Sequence, residues 1–169
     1  DIIRTNRDAL YVVMEADATD TTKVFLGGSY SRSVSPIGGF GLPRFADGTD
    51  LGLPRSVSLT ADWSKADTNT SEVFGTVDQR LGGSWNLRVN AMRSDKDSDF
   101  GFYYSFAAID PVTRTGALYG TSAERKAVQE VMDVTLTGSL ELWGRTHKVA
   151  IGADWQNSET NGPSWNTPW

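Results

Sequence analysis

The sequence predicts an all-β fold, an antiparallel up-and-down meander of about six strands. Three observations predict it: runs in which apolar and polar residues alternate, very short turns that join these runs in pairs, and long irregular segments between the pairs. The runs are rich in Val, Phe, Tyr and Thr, which favour strands. The six predicted strands are residues 9–17, 23–31, 72–81, 86–93, 132–142 and 147–156.

The first two strands are joined by a turn at residues 19–22. In the first strand Leu10, Val12 and Met14 alternate with polar positions, and Glu15 and Asp17 fall on the other side. Successive side chains of a strand point to opposite faces. This pair of strands is therefore expected to have one apolar face and one charged face.

The second and third pairs repeat the pattern, with turns at residues 82–84 and 144–146. Aromatic residues stand near the strand ends, as in the girdles at a membrane–water interface; these are Tyr30, Trp85, Trp143 and Trp155. The surface expected to be apolar carries Val24, Leu26, Val73, Val77, Leu87, Val89, Val134, Leu136, Leu140, Val149 and Ile151. The surface expected to be polar carries Glu15, Asp17, Asp78, Arg80, Arg88, Thr135, Thr137, Glu141 and Lys148.

The connections between pairs, at about residues 32–71 and 94–131, are much longer than ordinary connections. Short turns at one end and long loops at the other are typical of a transmembrane β-barrel of the outer-membrane type, with the long loops extracellular. A soluble β-sandwich would also alternate, but it would show turn signals every 8–12 residues at both ends. Six strands would leave both edges unpaired, so we expect residues 1–169 to be one part of a larger barrel. The tail from residue 163 onward is expected to be a loop.

Composition excludes several classes of function. The net charge of −5 argues against nucleic-acid binding, and the absence of Cys excludes thiolate metal sites and disulfide scaffolds. His147 is the only histidine, and a single His without Cys cannot form a conventional zinc site. Asp95, Asp97 and Asp99 alternate, but Phe stands where an EF-hand loop needs its Gly and its Glu. No arrangement of residues supports an enzyme.

Several segments resemble the early barrel strands of TonB-dependent ferric-siderophore receptors. The element Gly-Leu-Pro-Arg occurs twice, at residues 41–44 and 52–55, and the first copy continues as Phe-Ala-Asp-Gly-Thr. The resemblance also covers residues 9–17, Leu-Pro-Arg-Ser at 53–56, Ala-Asp-Trp-Ser at 61–64, Trp-Asn-Leu-Arg at 85–88 and the hairpin at 138–147. These segments follow one another in the order and spacing of that family.

The resemblance implies a receptor of the bacterial outer membrane with a 22-stranded barrel and a plug, of which this chain supplies roughly strands three to eight. Its partners would be a ferric siderophore, outer-membrane lipid and lipopolysaccharide, and TonB, which a plug segment outside this chain would contact. Iron would arrive only inside its siderophore, so no cofactor is expected. Two other readings remain open at this point, a soluble lipocalin-like ligand-binding module and a small outer-membrane barrel; either would close its sheet within these residues.

A siderophore complex needs aromatic surfaces and a few polar anchors that converge in a concave site. The long segments offer both. The candidate ligand-binding residues, with Trp63 first in order of preference, are Trp63, Tyr104, Tyr103, Phe45, Arg44 and Arg55; Phe40, Phe102 and Tyr119 belong to the same wider group. Arg44 and Arg55 could also pair with lipopolysaccharide phosphates.

Overall fold

A computed structural model describes residues 4–37, 43–54, 56–57, 60–105 and 108–168. The chain forms one antiparallel sheet in which the first six strands follow one another in chain order and the seventh pairs with the fifth. The strands are β1 (Asn6–Thr19), β2 (Thr22–Pro36), β3 (Lys65–Gly82), β4 (Trp85–Tyr104), β5 (Tyr119–Leu142), β6 (Arg145–Asn161) and β7 (Ser164–Pro168). The predicted fold class is therefore confirmed. In the described residues no helix is long and apolar enough to cross a membrane.

The tail beyond residue 163, expected to be a loop, contains β7, which pairs with β5. Lys126 of β5 pairs with Asn161 of β6, and Ala123 pairs with Ser164 of β7, so the register is the same on both sides of the interruption. β6 and β7 are therefore one long strand, broken only at residues 162–163. Proline lacks the N–H that a strand donates, and Pro163 still accepts a hydrogen bond from the Glu124 N–H at 3.2 Å.

The strands run well beyond their predicted ends on the side of the long connections. Between the strands lie residues 37–64 and 105–118, where the sequence predicted longer connecting segments at 32–71 and 94–131. Residues 94–99 are polar or charged on both faces, and residues 119–131 mix polar, charged and small side chains on both faces, so neither stretch shows a clear alternation of apolar and polar positions. The backbone hydrogen bonds between neighbouring strands continue there, because they do not depend on side-chain polarity.

The three short turns lie at one end of the sheet and the two long connections at the other, as predicted. In the third hairpin Leu142 pairs with Arg145, which leaves a loop of two residues. Trp143 and Gly144 have φ of 53° and 69°, as a tight turn that matches the twist of the strands requires.

The register assigns each strand residue to one of two faces, because directly opposed residues share a face. We call the side that carries Leu26, Val77 and Val134 the apolar face, and the side that carries Lys23 and Asp78 the polar face. Every residue that the alternation assigned to the apolar or the polar surface falls on that face. The apolar face is well exposed, with Ile151 63% accessible, and no large side chain of the described residues is fully buried. A single sheet has no second layer to cover it.

The apolar face is apolar only over its half nearest the short turns. On β2 this band extends from Val24 to Tyr30, and on β6 from Val149 to Trp155. The paired residues in the row of Tyr30 lead across the sheet from β2 to Glu159 of β6. Glu159 lies four residues farther from the short turns than Trp155, where the band on β6 ends. The band on β6 is therefore displaced by four residues toward the short turns relative to the band on β2.

The sheet does not close on itself. β1 and β6 lie at its two edges and, in the part of the chain that the structure describes, do not pair with each other. The lipocalin-like module and the small barrel both require closure within these residues. The open sheet excludes both readings.

Candidate ligand-binding site

A row of aromatic rings stands on the polar face at the end that carries the long loops. Phe100, Phe102 and Tyr104 occupy every second position at the end of β4, so they point to the same side. Tyr119 begins β5 directly opposite Tyr104. We call these four residues the aromatic ladder.

The rings of the aromatic ladder contact one another in sequence. The centroids of Phe100 and Phe102 are 6.3 Å apart, those of Phe102 and Tyr104 6.0 Å, and those of Tyr104 and Tyr119 5.9 Å. The outer two pairs are stacked, with interplanar angles of 20° and 23°. Such pairs contribute about 0.5–1.5 kcal/mol beyond the burial of their area. The ladder is thus a preformed apolar strip on the polar face.

A cation lies at the end of the aromatic ladder that is nearer the short turns. The guanidinium carbon of Arg125 lies 5.4 Å from the centroid of Phe100, within the range of a cation–π contact. Arg125 pairs with Ser98 in the register, so it stands on the polar face. Lys96 stands on the same face, one row nearer the short turns. Rings and cations together can take a ligand that has both a flat face and a polar or charged edge.

The first-choice candidate, Trp63, does not stand beside Tyr104. Its ring lies 3.3 Å from the position that a Cβ on Gly101 would occupy, and Gly101 is on the apolar face. The ring of Tyr103 lies on the same side, with its centroid 6.1 Å from that of Trp63. The expected grouping of Trp63, Tyr103 and Tyr104 is therefore not formed. Neighbouring strand residues point to opposite faces, so Tyr103 and Tyr104 cannot share a surface.

Arg44 and Phe45 join the two long loops. The Ile109 N–H donates to the Arg44 carbonyl at 2.9 Å, and the Ala46 N–H donates to the Ile109 carbonyl at 3.2 Å. Phe45 and Ile109 thereby form an isolated parallel bridge between the loop after β2 and the loop after β4. The Arg44 guanidinium also donates to the Gly48 carbonyl at 3.2 Å. Both residues thus have a structural role in the loops, and Arg55 lies outside the described residues.

Two aspartates stabilise the turns next to this bridge. The Asp110 carboxylate accepts hydrogen bonds from the N–H groups of Val112 and Thr113, at 2.7 and 2.8 Å. These bonds, that of Thr113 above all, lower the pKa of Asp110 below its usual range. The hydroxyl and N–H of Thr49 do the same for the pKa of Asp47. The Asp47-Gly48-Thr49-Asp50 element is a turn, as its residue types indicate.

Sequence reasoning did not single out Phe100, Arg125 and Lys96. The period-two rule contained the necessary signal, because Phe100, Phe102 and Tyr104 differ by two residues each. It could be applied only once the strand was known to extend that far. A further aromatic group, with Tyr11 and Phe25 either side of Phe74, lies lower on the polar face at centroid distances of 5.9 and 6.2 Å.

The described residues hold no group of three or more His, Asp or Glu side chains placed to bind a metal ion. Carboxylates on the polar face are instead engaged by side chains nearby. Asp78 accepts bonds from Arg88 and Asn86, at 2.7 and 3.0 Å for the closest contacts. Asp133 accepts one from Asn90 at 3.0 Å.

The chain is similar in sequence to receptors of Pseudomonas. It is 32% identical to the ferric-pyoverdine 358 receptor of Pseudomonas putida over 95% of the chain, and 28% identical to the ferric-pyoverdine BN7/BN8 receptor of the same species over 92%. It is 26% identical to the ferric-pyoverdine M114 receptor PbuA of Pseudomonas sp. (strain M114) over 90%. The chain spans only about a fifth of these relatives, 21%, 20% and 19% respectively. No family model matches the sequence.

The fold is similar to one stretch of solved receptor structures. The ferripyoverdine receptor of the outer membrane of Pseudomonas aeruginosa, bound to ferripyoverdine, superimposes with a TM-score of 0.84 at 20% identity. The complex of FpvAI with pyocin S2 gives the same score at 18% identity. In both cases the match covers 98% of this chain and 22% of the other. By its sequence relatives and its fold, the chain is similar to a β-barrel segment of the bacterial outer-membrane receptors that its motifs resemble.

Proposed function

We propose that the chain is part of a TonB-dependent receptor that binds ferric siderophores and imports them across the outer membrane. The observation that carries the proposal is the aromatic ladder, which lies on the polar face at the end of the long loops. In a closed barrel the polar face lines the interior. The ladder therefore stands at the entrance of that interior, where a ligand from outside would arrive first.

The chemistry of the site agrees with this ligand class. A ferric siderophore is a saturated iron complex, so its receptor has to recognise faces and edges rather than supply ligands to iron. Rings from Phe100 to Tyr119 provide flat apolar contacts, and Arg125 provides donors. The relatives are named for ferric pyoverdines, so these complexes are the first ligands to test. The proposed activity is capture and import, without a catalysed reaction.

The remaining partners follow from the same proposal. The apolar band contacts the lipid of the outer membrane, and Arg44 and Arg55 pair with lipopolysaccharide phosphates. Import requires energy from TonB, which contacts a plug segment of such receptors outside this chain. These contacts belong to the whole receptor.

The test is equilibrium binding of iron-loaded siderophores, ferric pyoverdines first, to the refolded full-length receptor and to Tyr104→Ala. Loss of one stacked ring should cost about 1–3 kcal/mol, so affinity should fall roughly ten- to a hundredfold. Tyr103→Ala is the matched control, because the neighbouring ring of the same type lies on the apolar face. Trp63→Ala tests, in the same assay, the residue that the sequence ranked first as a ligand contact.

If every ferric siderophore fails to bind, while another nutrient such as haem or cobalamin binds, the proposed ligand class is wrong. If ferric siderophores bind and Tyr104→Ala leaves affinity unchanged while Trp63→Ala lowers it, the ligand is held by the Trp63 side of the loops and not by the aromatic ladder.

A further inference from the structure

At the end of the sheet that carries the long loops, the two faces have opposite charge. In the described strands, the charged groups on the polar face beyond the row of Glu72 are all cations, namely Arg7, Lys96 and Arg125. The apolar face over the same stretch is mainly acidic, with Asp8, Asp67, Asp95, Asp97, Asp99, Glu124 and Glu159 against Arg32, Lys65 and Lys126. Alternation along β4 and β5 produces this separation, because Lys96 stands between Asp95 and Asp97, and Arg125 between Glu124 and Lys126.

The cations on the two faces also differ in their partners. On the apolar face Arg32 binds Asp67 at 2.6 Å, and Lys126 lies 3.9 Å from Asp97. Within the described residues neither Lys96 nor Arg125 forms a salt bridge with a carboxylate. Arg125 instead lies over the ring of Phe100. Its charge is therefore held at the foot of the aromatic ladder without being neutralised.

Unneutralised cations on a concave wall concentrate the positive potential inside it and attract anions. A guanidinium that stacks on a ring still has edge N–H groups free to donate to a carboxylate or another anionic oxygen. Further down the polar face the charges are of both signs, with Lys23 close to Glu15 and Asp17, and Arg88 bonded to Asp78. Selection for negative charge is thus confined to the entrance.

We infer that the ladder selects ligands by charge as well as by shape: the ferric complex it captures is a net anion with a planar ring, the ring stacking on Phe100, Phe102, Tyr104 and Tyr119 and an anionic group pairing with Arg125 and Lys96. The inference rests on the proposed function and specifies the charge class of its substrate. Neutral and cationic ferric complexes of similar size are expected to bind more weakly.

The experiment compares ferric complexes of different charge on the full-length receptor. The probes are ferric pyoverdines of different net charge, an anionic ferric tris-catecholate, a neutral ferric trihydroxamate and a cationic one with a free ammonium group. The complex that binds most tightly should migrate as an anion at neutral pH. Its affinity should fall as salt rises, because exposed charge pairs are screened.

Three variants test whether Arg125 is responsible for the preference for anionic complexes. Arg125→Gln should weaken binding of the anionic complex about ten- to a hundredfold, as expected for a lost hydrogen bond to a charged group, and Arg125→Lys should restore part of it. Lys126→Gln is the matched control, because this adjacent cation stands on the apolar face and should leave binding unchanged. Resistance of the folded barrel to unfolding in detergent, followed by gel mobility, shows that each variant is folded.

The outcomes separate the two proposals. If no ferric complex binds, the proposed function itself fails. If a neutral or cationic complex binds best, or if a folded Arg125→Gln receptor binds the anionic complex as well as the unaltered protein, the receptor function stands and the inference about charge is overturned.

Discussion

Single residues show how strongly the position in a strand controls what a side chain can contact. Tyr103 and Tyr104 are neighbours of the same type, yet one packs with Trp63 on the apolar face and the other belongs to the aromatic ladder. Residue type alone suggests both tyrosines as ligand-binding candidates. Only the direction of each side chain relative to the sheet, which requires the strand boundary and register, distinguishes them.

Gly27 is a position where the side chain is limited by space. A Cβ there would meet the ring of Phe74 at 2.5 Å and the carbonyl oxygen of Val12 at 3.1 Å. Gly27→Ala should therefore displace the ring that stacks with Tyr11 and destabilise the full-length receptor by about 1–3 kcal/mol. The measurement is a denaturant titration in detergent or lipid.

Gly28 provides the control for this prediction. It is the next residue, on the apolar face, and a Cβ there meets only the Glu72 carbonyl oxygen at 3.2 Å. Gly28→Ala is expected to cost less than Gly27→Ala. Equal costs would show that the ring of Phe74 moves aside freely and does not limit this position.

The Asp110 turn makes a prediction about pH. Its carboxylate has a lowered pKa in the folded loop because it accepts two N–H bonds. The stabilisation that this group contributes is thus present above its usual pKa, about 3.9, and is lost as pH falls below that value. Hydrogen exchange at the amides of Val112 and Thr113, corrected for the intrinsic rate, should accelerate through this range.

Asp110→Ala should remove both the protection of these amides and its dependence on pH. Protection that persists at low pH in the unaltered protein would show that the turn does not depend on the ionised carboxylate.

At the scale of the strand, the sequence predicted which strands exist and which way their side chains face, and it missed how far they extend. Alternation is visible only where one face meets an apolar environment, as it does for Leu136 beside Thr137. From residue 94 to residue 99 of β4 both faces are polar, and the strand is maintained there by its pairing with β3 and β5. That pairing depends on residues distant in sequence, so the aromatic ladder at the end of β4 was recognised only in part.

The facing of β5 can be measured. Leu136 lies on the apolar face within the band, and Thr137 lies on the polar face. Leu136→Arg should destabilise the receptor by about 2–4 kcal/mol in lipid, as a charge facing the bilayer interior does, whereas Thr137→Arg should be mild. Equal costs in a lipid folding titration would contradict the assignment of the two faces.

For the whole molecule, the sheet has one end of short turns and one end of long loops. The relatives place this segment in the outer membrane, and the predicted orientation has the long loops outside the cell. Arg114 is exposed in the loop after β4, whereas Arg145 adjoins the short turn of the third hairpin. Trypsin added to intact cells that express the full-length receptor should therefore cleave at Arg114 and spare Arg145.

Cells with a permeabilised outer membrane provide the control, because both ends of the sheet are then accessible. Cleavage at Arg145 in intact cells, with Arg114 spared, would reverse the orientation and would place the aromatic ladder on the periplasmic side.

The displacement of the apolar band between β2 and β6 determines how the strands are inclined. A membrane is flat, so the band must be level in the barrel even though it steps by four residues over four strands. The band is thus displaced by one residue, about 3.4 Å along the strand, for each step of about 4.8 Å between neighbouring strands. This ratio corresponds to strands inclined by roughly 35° to the membrane normal, which is the lower limit for outer-membrane barrels. If the same step continues around the whole wall, the shear number of the closed barrel is about equal to its number of strands.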